Sequence, residues 1–273
     1  MKPITLDHLS VLEVGPPDLI TLGSEAGYQA VGVRLTSPMP GGIEYRLRPG
    51  TPAMKETLKR MSDTGIGVFD IEVVLLAAET DVKTYRETFE AAAALGAKRV
   101  CVNIEDPDRA RVIDRFAELC DMGAPLNLAF DVEFMIWRPV ARLEDAADVV
   151  SRAGKSNGGI MVDMLHLIRS GGSAATVAAL DPKLVGSVQL CDAPLTRLPN
   201  LSIIDEARTD RLAPGEGELP LNDILNALPE GVPLAVEVPL TRRYPNLTPL
   251  QRARRVCVAT KKFLGSRQMS EAM

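Results

Sequence analysis

Short apolar runs and amphipathic stretches alternate along the whole chain. The apolar runs are rich in Val, Ile and Leu. They are HLSVLEV (8–14), AVGVRLT (30–36), IGVFDIEVVLL (66–76), RVCVNIE (99–105), LNLAFDVE (126–133), GIMVDML (159–165), VGSVQLCD (185–192) and PLAVEVPL (233–240). Runs this short, apolar on both faces and separated by helical patterns, are how buried parallel strands read. The intervening stretches follow helix grammar. PPDLITLGSEAG starts on Pro and stops on Gly, and TPAMKETLKRMSDTG has a Thr cap, Pro at its first position and Gly65 at its end. DVKTYRETFEAAAALGAK, DPDRARVIDRFAELCDMG, LEDAADVVSRAG and TPLQRARRVCVATKKFLG read the same way.

Eight such units in 273 residues average about 34 residues each, which predicts a single-domain (β/α)₈ TIM barrel over residues 1–265. The tail 266–273 is expected to fray. The competing open doubly wound sheet usually carries a Gly-rich strand-to-helix turn for phosphates. No G-x-G-x-x-G or G-x-x-x-x-G-K-[ST] follows any strand, and the GEG of Gly215 to Gly217 opens no such helix. The longest irregular stretches, 37–50 and 193–220, fall after the second and seventh strands, where barrel loops shape an active site.

Composition narrows the class. With 46% hydrophobic and 25% charged residues the chain is an ordinary globular protein. A net charge of −5 argues against nucleic-acid binding, which needs a basic face. No apolar stretch approaches a membrane span, and the N-terminus has no secretory pattern. Cys101, Cys120, Cys191 and Cys257 form no CxxC pair and read as reduced thiols, so a cytoplasmic location is expected. The partner expected is a small molecule; the sequence leaves homo-oligomerisation open.

Active sites of such barrels sit at the C-terminal strand ends. Four consecutive strands carry a polar residue there, inside an apolar run: Glu133, Asp163, Gln189 and Glu237. Any one alone is ordinarily a salt-bridge partner or a cap. Three carboxylates and an amide converging on one mouth repel each other unless a cation joins them. All four offer oxygen, which suits Mn²⁺ or Mg²⁺ better than a thiolate-seeking ion. Nearby, His166 follows Asp163 by three residues. Arg208 and Arg211 precede the GEG turn, where Glu216 is placed to orient one of them. Glu72 lies in the third strand, and Trp137 follows Glu133 by four residues. These five (His166, Arg208, Arg211, Glu72 and Trp137) are the candidate substrate contacts.

On these residues the sequence resembles the xylose isomerase-like TIM barrels, the sugar phosphate isomerase/epimerase superfamily. The resemblance rests on Glu133, the D-x-x-H of Asp163 and His166, VQLCDAP at 188–194, the R-x-x-R-x-x-P-G-E-G-E of Arg208 to Glu218, and Glu237. It implies one divalent ion (Mn²⁺, Mg²⁺, Co²⁺ or Zn²⁺) held by Glu133, Asp163, Gln189 and Glu237, with Glu133 and Glu237 also acting as the catalytic acid/base pair. Two departures stand out. Most sugar epimerases of this family place His where this chain has Gln189, whereas the 3-dehydroshikimate dehydratases resemble it there. The second strand carries Arg34 where many relatives have an acidic residue.

The function expected first is a metal-dependent isomerase or epimerase of a polyhydroxy keto substrate such as a keto sugar, acting through an enediolate. The alternative is a dehydratase of the 3-dehydroshikimate type. A phosphodiesterase of the endonuclease branch is disfavoured, because that branch resembles a multi-histidine site and this chain has two histidines. A non-catalytic binding barrel is disfavoured because both glutamates are present.

Overall fold

The computed structural model describes residues 3–39 and 41–271. Eight parallel strands close into a barrel in the order of the chain. The strands are β1 (Ile4–Leu6), β2 (Ala30–Arg34), β3 (Gly67–Leu76), β4 (Arg99–Ile104), β5 (Ala129–Glu133), β6 (Gly158–Asp163), β7 (Val185–Leu190) and β8 (Leu234–Val236). The helices are α1 (Pro16–Ala26), α2 (Pro52–Thr64), α3 (Arg86–Ala94), α4 (Arg109–Gly123), α5 (Leu143–Ala153), α6 (Met164–Arg169), α7 (Ala174–Ala178), α8 (Ile203–Thr209), α9 (Leu221–Ala227) and α10 (Pro249–Glu271). Helix starts follow local chemistry. Thr51 caps α2 by accepting from Met54 N, and Asp163 caps α6 by accepting from His166 N. The tail expected to fray at 266–273 lies partly outside the described residues, and the α10 backbone reaches Glu271.

The first strand is misplaced by the hydrophobic pattern. The run 8–14 is not the strand: β1 is Ile4–Leu6, and His8–Val11 is a 3₁₀ turn. Ile4, Thr5 and Leu6 pair with Leu234, Ala235 and Val236, which closes the ring. The ladder stops there because His8 N donates to the Glu72 carboxylate at 2.5 Å, which turns the chain away from the sheet. Short apolar runs do not separate strand from turn by periodicity alone.

The principal core fills the space between barrel and helices, with Phe89, Phe116, Leu119 and Phe130 at most 1% exposed. Phe89 meets Phe130 edge-on at 5.1 Å. The barrel interior is different. Alternate residues of each strand point inward, and many are polar. Arg99 of β4 pairs with Asp131 of β5, and Ser187 of β7 donates to the same carboxylate at 2.6 Å. Gly186 makes room for this group, since a Cβ there would collide with both Asp131 and Arg99. Val73, Cys101 and Met161 form a small apolar cluster of their own. Two residues beyond Arg99, Asp131 and Ser187, the same strands present Cys101, Glu133 and Gln189.

Candidate metal and substrate site

Glu133 and Asp163 are the last residues of β5 and β6, Gln189 is the penultimate residue of β7, and Glu237 directly follows β8. The barrel register sets Asn103 beside Glu133 and Asp163 beside Gln189. All the sequence-predicted site residues except Asp163 line one small cavity at this end of the barrel, together with Arg34 and Asn103. Asp163 lies behind it, fully buried.

The carboxylates are held by specific donors. Asn103 Nδ2 donates to Glu133 Oε2 at 2.7 Å and the Cys101 thiol donates to the same oxygen at 3.3 Å. Arg211 is 1% exposed and clamps two strand ends together. Its Nη1 lies 2.5 Å from Asp163 Oδ2 and its Nη2 2.7 Å from Glu237 Oε2. Its Nε donates to Ala207 O at 2.8 Å, which ties the clamp to α8. Gln189 Nε2 donates to Asp7 Oδ2 at 2.9 Å and to Glu237 Oε1 at 3.2 Å.

Electrostatics follow from this crowding. Burial pushes the Glu237 carboxyl well above the ordinary carboxylate range; Glu133, Asp163 and Glu72 add to the push, and Arg211 opposes it. Burial likewise raises Asp163, but Arg211, His166 and the His166 backbone N–H more than reverse this, so it titrates below the ordinary range. Burial holds His166 neutral at pH 7 by lowering its pKa. The His166 ring stands edge-on to Trp137 at 5.1 Å, with Nε2 3.5 Å from Glu133 Oε1.

The residues present fit a divalent cation. Glu133, Asp163 and His166 each bring a ligand atom within 4.8 Å of the others. Gln189 Oε1 is buried and has no hydrogen-bond partner among the described residues. An orphaned amide oxygen beside three carboxylates is costly unless something electropositive meets it. Carboxylate oxygens that accept from Arg211 or Asn103 keep a further lone pair for a metal.

Other expected contacts take different parts. Glu72 lines the cavity, but its Oε2 accepts from Arg34 Nε and Nη2 at 3.1 and 2.7 Å and its Oε1 from His8 N, so it fixes Arg34. Glu216 does not orient Arg208 or Arg211. It pairs with Arg255 of α10 at 2.7 Å, because the turn that carries it faces that helix. The P-G-E-G-E segment is instead a cradle around Asp192, which accepts from the backbone N–H of Gly215, Gly217 and Leu219. A Cβ at Gly217 would strike Asp192 and the Ala193 backbone. The cradle anchors the chain segment that carries Arg211.

Arg208 has no carboxylate partner among the described residues; its Nη1 meets the Met39 sulfur at 3.7 Å. Burial, with the charges of Arg138 and Arg34 nearby, pushes its pKa down. The pattern reading passed over Asp7, Asn103 and Cys101. The signal for Asn103 and Cys101 was a polar or thiol residue at alternate, inward-facing positions of a strand read as apolar; Asp7 fell outside the run taken for the first strand.

No helix among the described residues is long and apolar enough to cross a membrane. Comparison with known proteins agrees with the architecture. Over 130 residues, 46% of this chain, the sequence is 29% identical to a 3-dehydroshikimate dehydratase of Pseudomonas aeruginosa, and the match spans 20% of that longer protein. A crystal structure of the IOLI protein with a bound zinc atom superposes with a TM-score of 0.77 at 18% identity, covering 97% of both chains. The D-allulose 3-epimerase of Methylomonas sp., in complex with D-allulose, superposes with a TM-score of 0.69 at 15% identity, again covering 97% of both chains. Residues 20–257 match the sequence family of xylose isomerase-like TIM barrels. The chain belongs to the xylose isomerase-like TIM barrel family.

Proposed function

We propose that this protein is a divalent-metal-dependent enzyme that removes a proton next to the carbonyl of a small hydroxy-ketone. The observation that carries this reading is the orphaned Gln189 Oε1 among Glu133, Asp163 and Glu237. These four would hold the ion, with His166 adjacent. When bound, a divalent ion of this kind polarises a carbonyl oxygen and acidifies the neighbouring C–H.

The chain's own residues supply the proton transfers. Glu133 and Glu237 stand at the ends of strands three places apart in the closed ring. One takes the proton from the carbon next to the carbonyl, and the other serves the far side of the substrate. Asn103 fixes the Glu133 carboxylate, and Arg211 fixes Glu237. His166, neutral and beside Glu133, offers a hydrogen bond to a substrate oxygen.

Two outcomes share this first step. Returning the proton elsewhere isomerises or epimerises a keto sugar, the outcome ranked first on sequence grounds. Expelling a hydroxyl from the next carbon, with a proton delivered to it, dehydrates the substrate. The unpaired Arg208 guanidinium, facing the cavity beside Arg34, favours the second. An unpaired guanidinium in a half-buried site is met best by an anionic group, a carboxylate above all. A carboxylate-bearing hydroxy-ketone of the 3-dehydroshikimate type has that group, and a neutral keto sugar lacks it. The P. aeruginosa relative is named for dehydration of that compound.

Incubation with 3-dehydroshikimate and, separately, with D-allulose in D₂O decides between them. Dehydration gives growing ultraviolet absorbance from a conjugated product. Epimerisation gives solvent deuterium on the carbon next to the carbonyl of the recovered sugar. Turnover of a phosphodiester with neither signal contradicts both.

A further inference from the structure

Gln189 is the one amide among the four strand-end residues, and its nitrogen meets carboxyl groups on two sides. Its two N–H bonds go to Asp7 Oδ2 at 2.9 Å and Glu237 Oε1 at 3.2 Å. Both carboxyls accept here, so the nitrogen faces these two residues and the oxygen faces away from them. That oxygen is the buried, unpartnered Oε1. Glu237 belongs to the site itself. Asp7 does not: it follows β1, is 0% exposed, and is absent from the cavity lining. Its backbone is pinned, because Asp7 N donates to Val236 O at 3.1 Å.

We propose that Asp7 is a positioning residue that selects an amide at position 189 and turns its oxygen toward the cation. The proposal rests on the reading of Gln189 as a metal ligand. Outer groups that orient ligands commonly govern both the ligand's rotamer and its donor strength. Here the outer group also restricts the residue type. A glutamate at 189 would bring a third carboxylate against Asp7 and Glu237, about 3 Å from each. An amide satisfies both with N–H groups and still has an oxygen for the metal.

The test is Mn²⁺ binding to the metal-stripped full chain by titration calorimetry, with circular dichroism and thermal unfolding to confirm that each variant is folded. Asp7→Leu removes the acceptor and is expected to weaken Mn²⁺ binding at least about 10-fold, the lower end for lost orienting partners. Asp7→Asn keeps an oxygen that accepts the Gln189 N–H and is expected to bind close to wild type. Should Asp7→Leu not fold, the smaller Asp7→Ala replaces it with the same expectation. A structural role alone would not move the last readout. Gln189→Glu is expected to weaken Mn²⁺ binding when Asp7 is present and to strengthen it in the Asp7→Leu background.

Folded Asp7→Leu or Asp7→Ala with wild-type Mn²⁺ affinity overturns the proposal. So does an equal loss in Asp7→Asn, or a Gln189→Glu effect of the same sign in both backgrounds. A wild-type chain that takes up no Mn²⁺ overturns the ligand reading itself and the proposal with it, so the two failures are told apart by the wild-type titration.

Discussion

Two polar assemblies lie one above the other inside the same barrel. The lower one joins Arg99, Asp131 and Ser187 on β4, β5 and β7. The upper one joins Asn103, Glu133, Asp163 and Gln189 on β4 to β7, with Glu237 after β8 and Arg211 from the seventh loop. Both bury carboxylates against arginine. They differ in completion. Arg99, Asp131 and Ser187 leave no buried side-chain atom without a partner, although Asp70, in register beside Arg99, has both oxygens unmet; the upper group leaves Gln189 Oε1 and the adjoining His166 Nδ1 unmet. The same strands therefore build a closed ion pair at one level and an open ligand set two residues further along. The Arg99–Asp131–Ser187 group is complete in itself, whereas an unmet amide oxygen beside carboxylates at the barrel mouth leaves an atom for a ligand.

Disrupting the lower group should cost the most. Arg99→Met leaves Asp131 buried without its cation, a loss of about 3–5 kcal/mol of stability. Thermal unfolding should show this loss equally with and without Mn²⁺, because the lower group does not contact the proposed ion. In the upper group the same kind of change should act on turnover instead. Glu133→Gln and Glu237→Gln keep shape and an oxygen ligand but remove the base, and each should lower kcat at least about 10²-fold. Steady-state rates with whichever of 3-dehydroshikimate and D-allulose the wild type turns over read this directly.

Metal removal separates the two levels again. Chelation should abolish activity. Adding back Mn²⁺ at about 100 times its dissociation constant should raise stability by about 2.7 kcal/mol, seen as a higher Tm. A Tm unmoved by Mn²⁺ would place the upper group with the lower one, as structure only.

The smallest effect expected is in pH dependence and belongs to His8. Burial lowers its pKa, and its ring is committed to the neutral form: Nδ1 accepts from Arg34 N at 2.8 Å while Nε2 lies 2.8 Å from Val14 O. The folded state thus binds this proton less readily than the unfolded chain. Stability is present above about pH 6.5 and falls as the pH drops below that value, by at most about 1.4 kcal/mol per pH unit for this group. Unfolding at pH 7 and pH 5.5 should show a shallower decline in His8→Gln than in wild type.

The sequence made the barrel legible because its signal is repetition. Seven of the eight strand runs overlap the strands they predict, and the Thr51 cap and Gly65 stop bound α2 as read. The first strand failed because ITL is only three residues long and the longer apolar run beside it forms a turn. That error hid Asp7, which sits at the junction. The strand-end residues were legible because each is polar within an apolar run. Their partners were not. Nothing in the spacing says that Arg211 reaches Asp163 and Glu237, that Glu72 is taken up by Arg34, or that Asp192 draws the P-G-E-G-E segment around itself. Those facts depend on which loops cross the barrel mouth, and pairing across distant loops leaves no periodic trace in the chain.

Anomalous diffraction from Mn²⁺-soaked crystals tests the central claim most directly. The account predicts one anomalous peak at the barrel mouth, with Gln189 Oε1 and oxygens of Glu133, Asp163 and Glu237 about 2.0–2.6 Å away, the range for a hard cation with oxygen ligands. A peak bound by Glu133, Asp163 and His166 with Gln189 Oε1 outside contact distance, or no peak at the mouth, would contradict it.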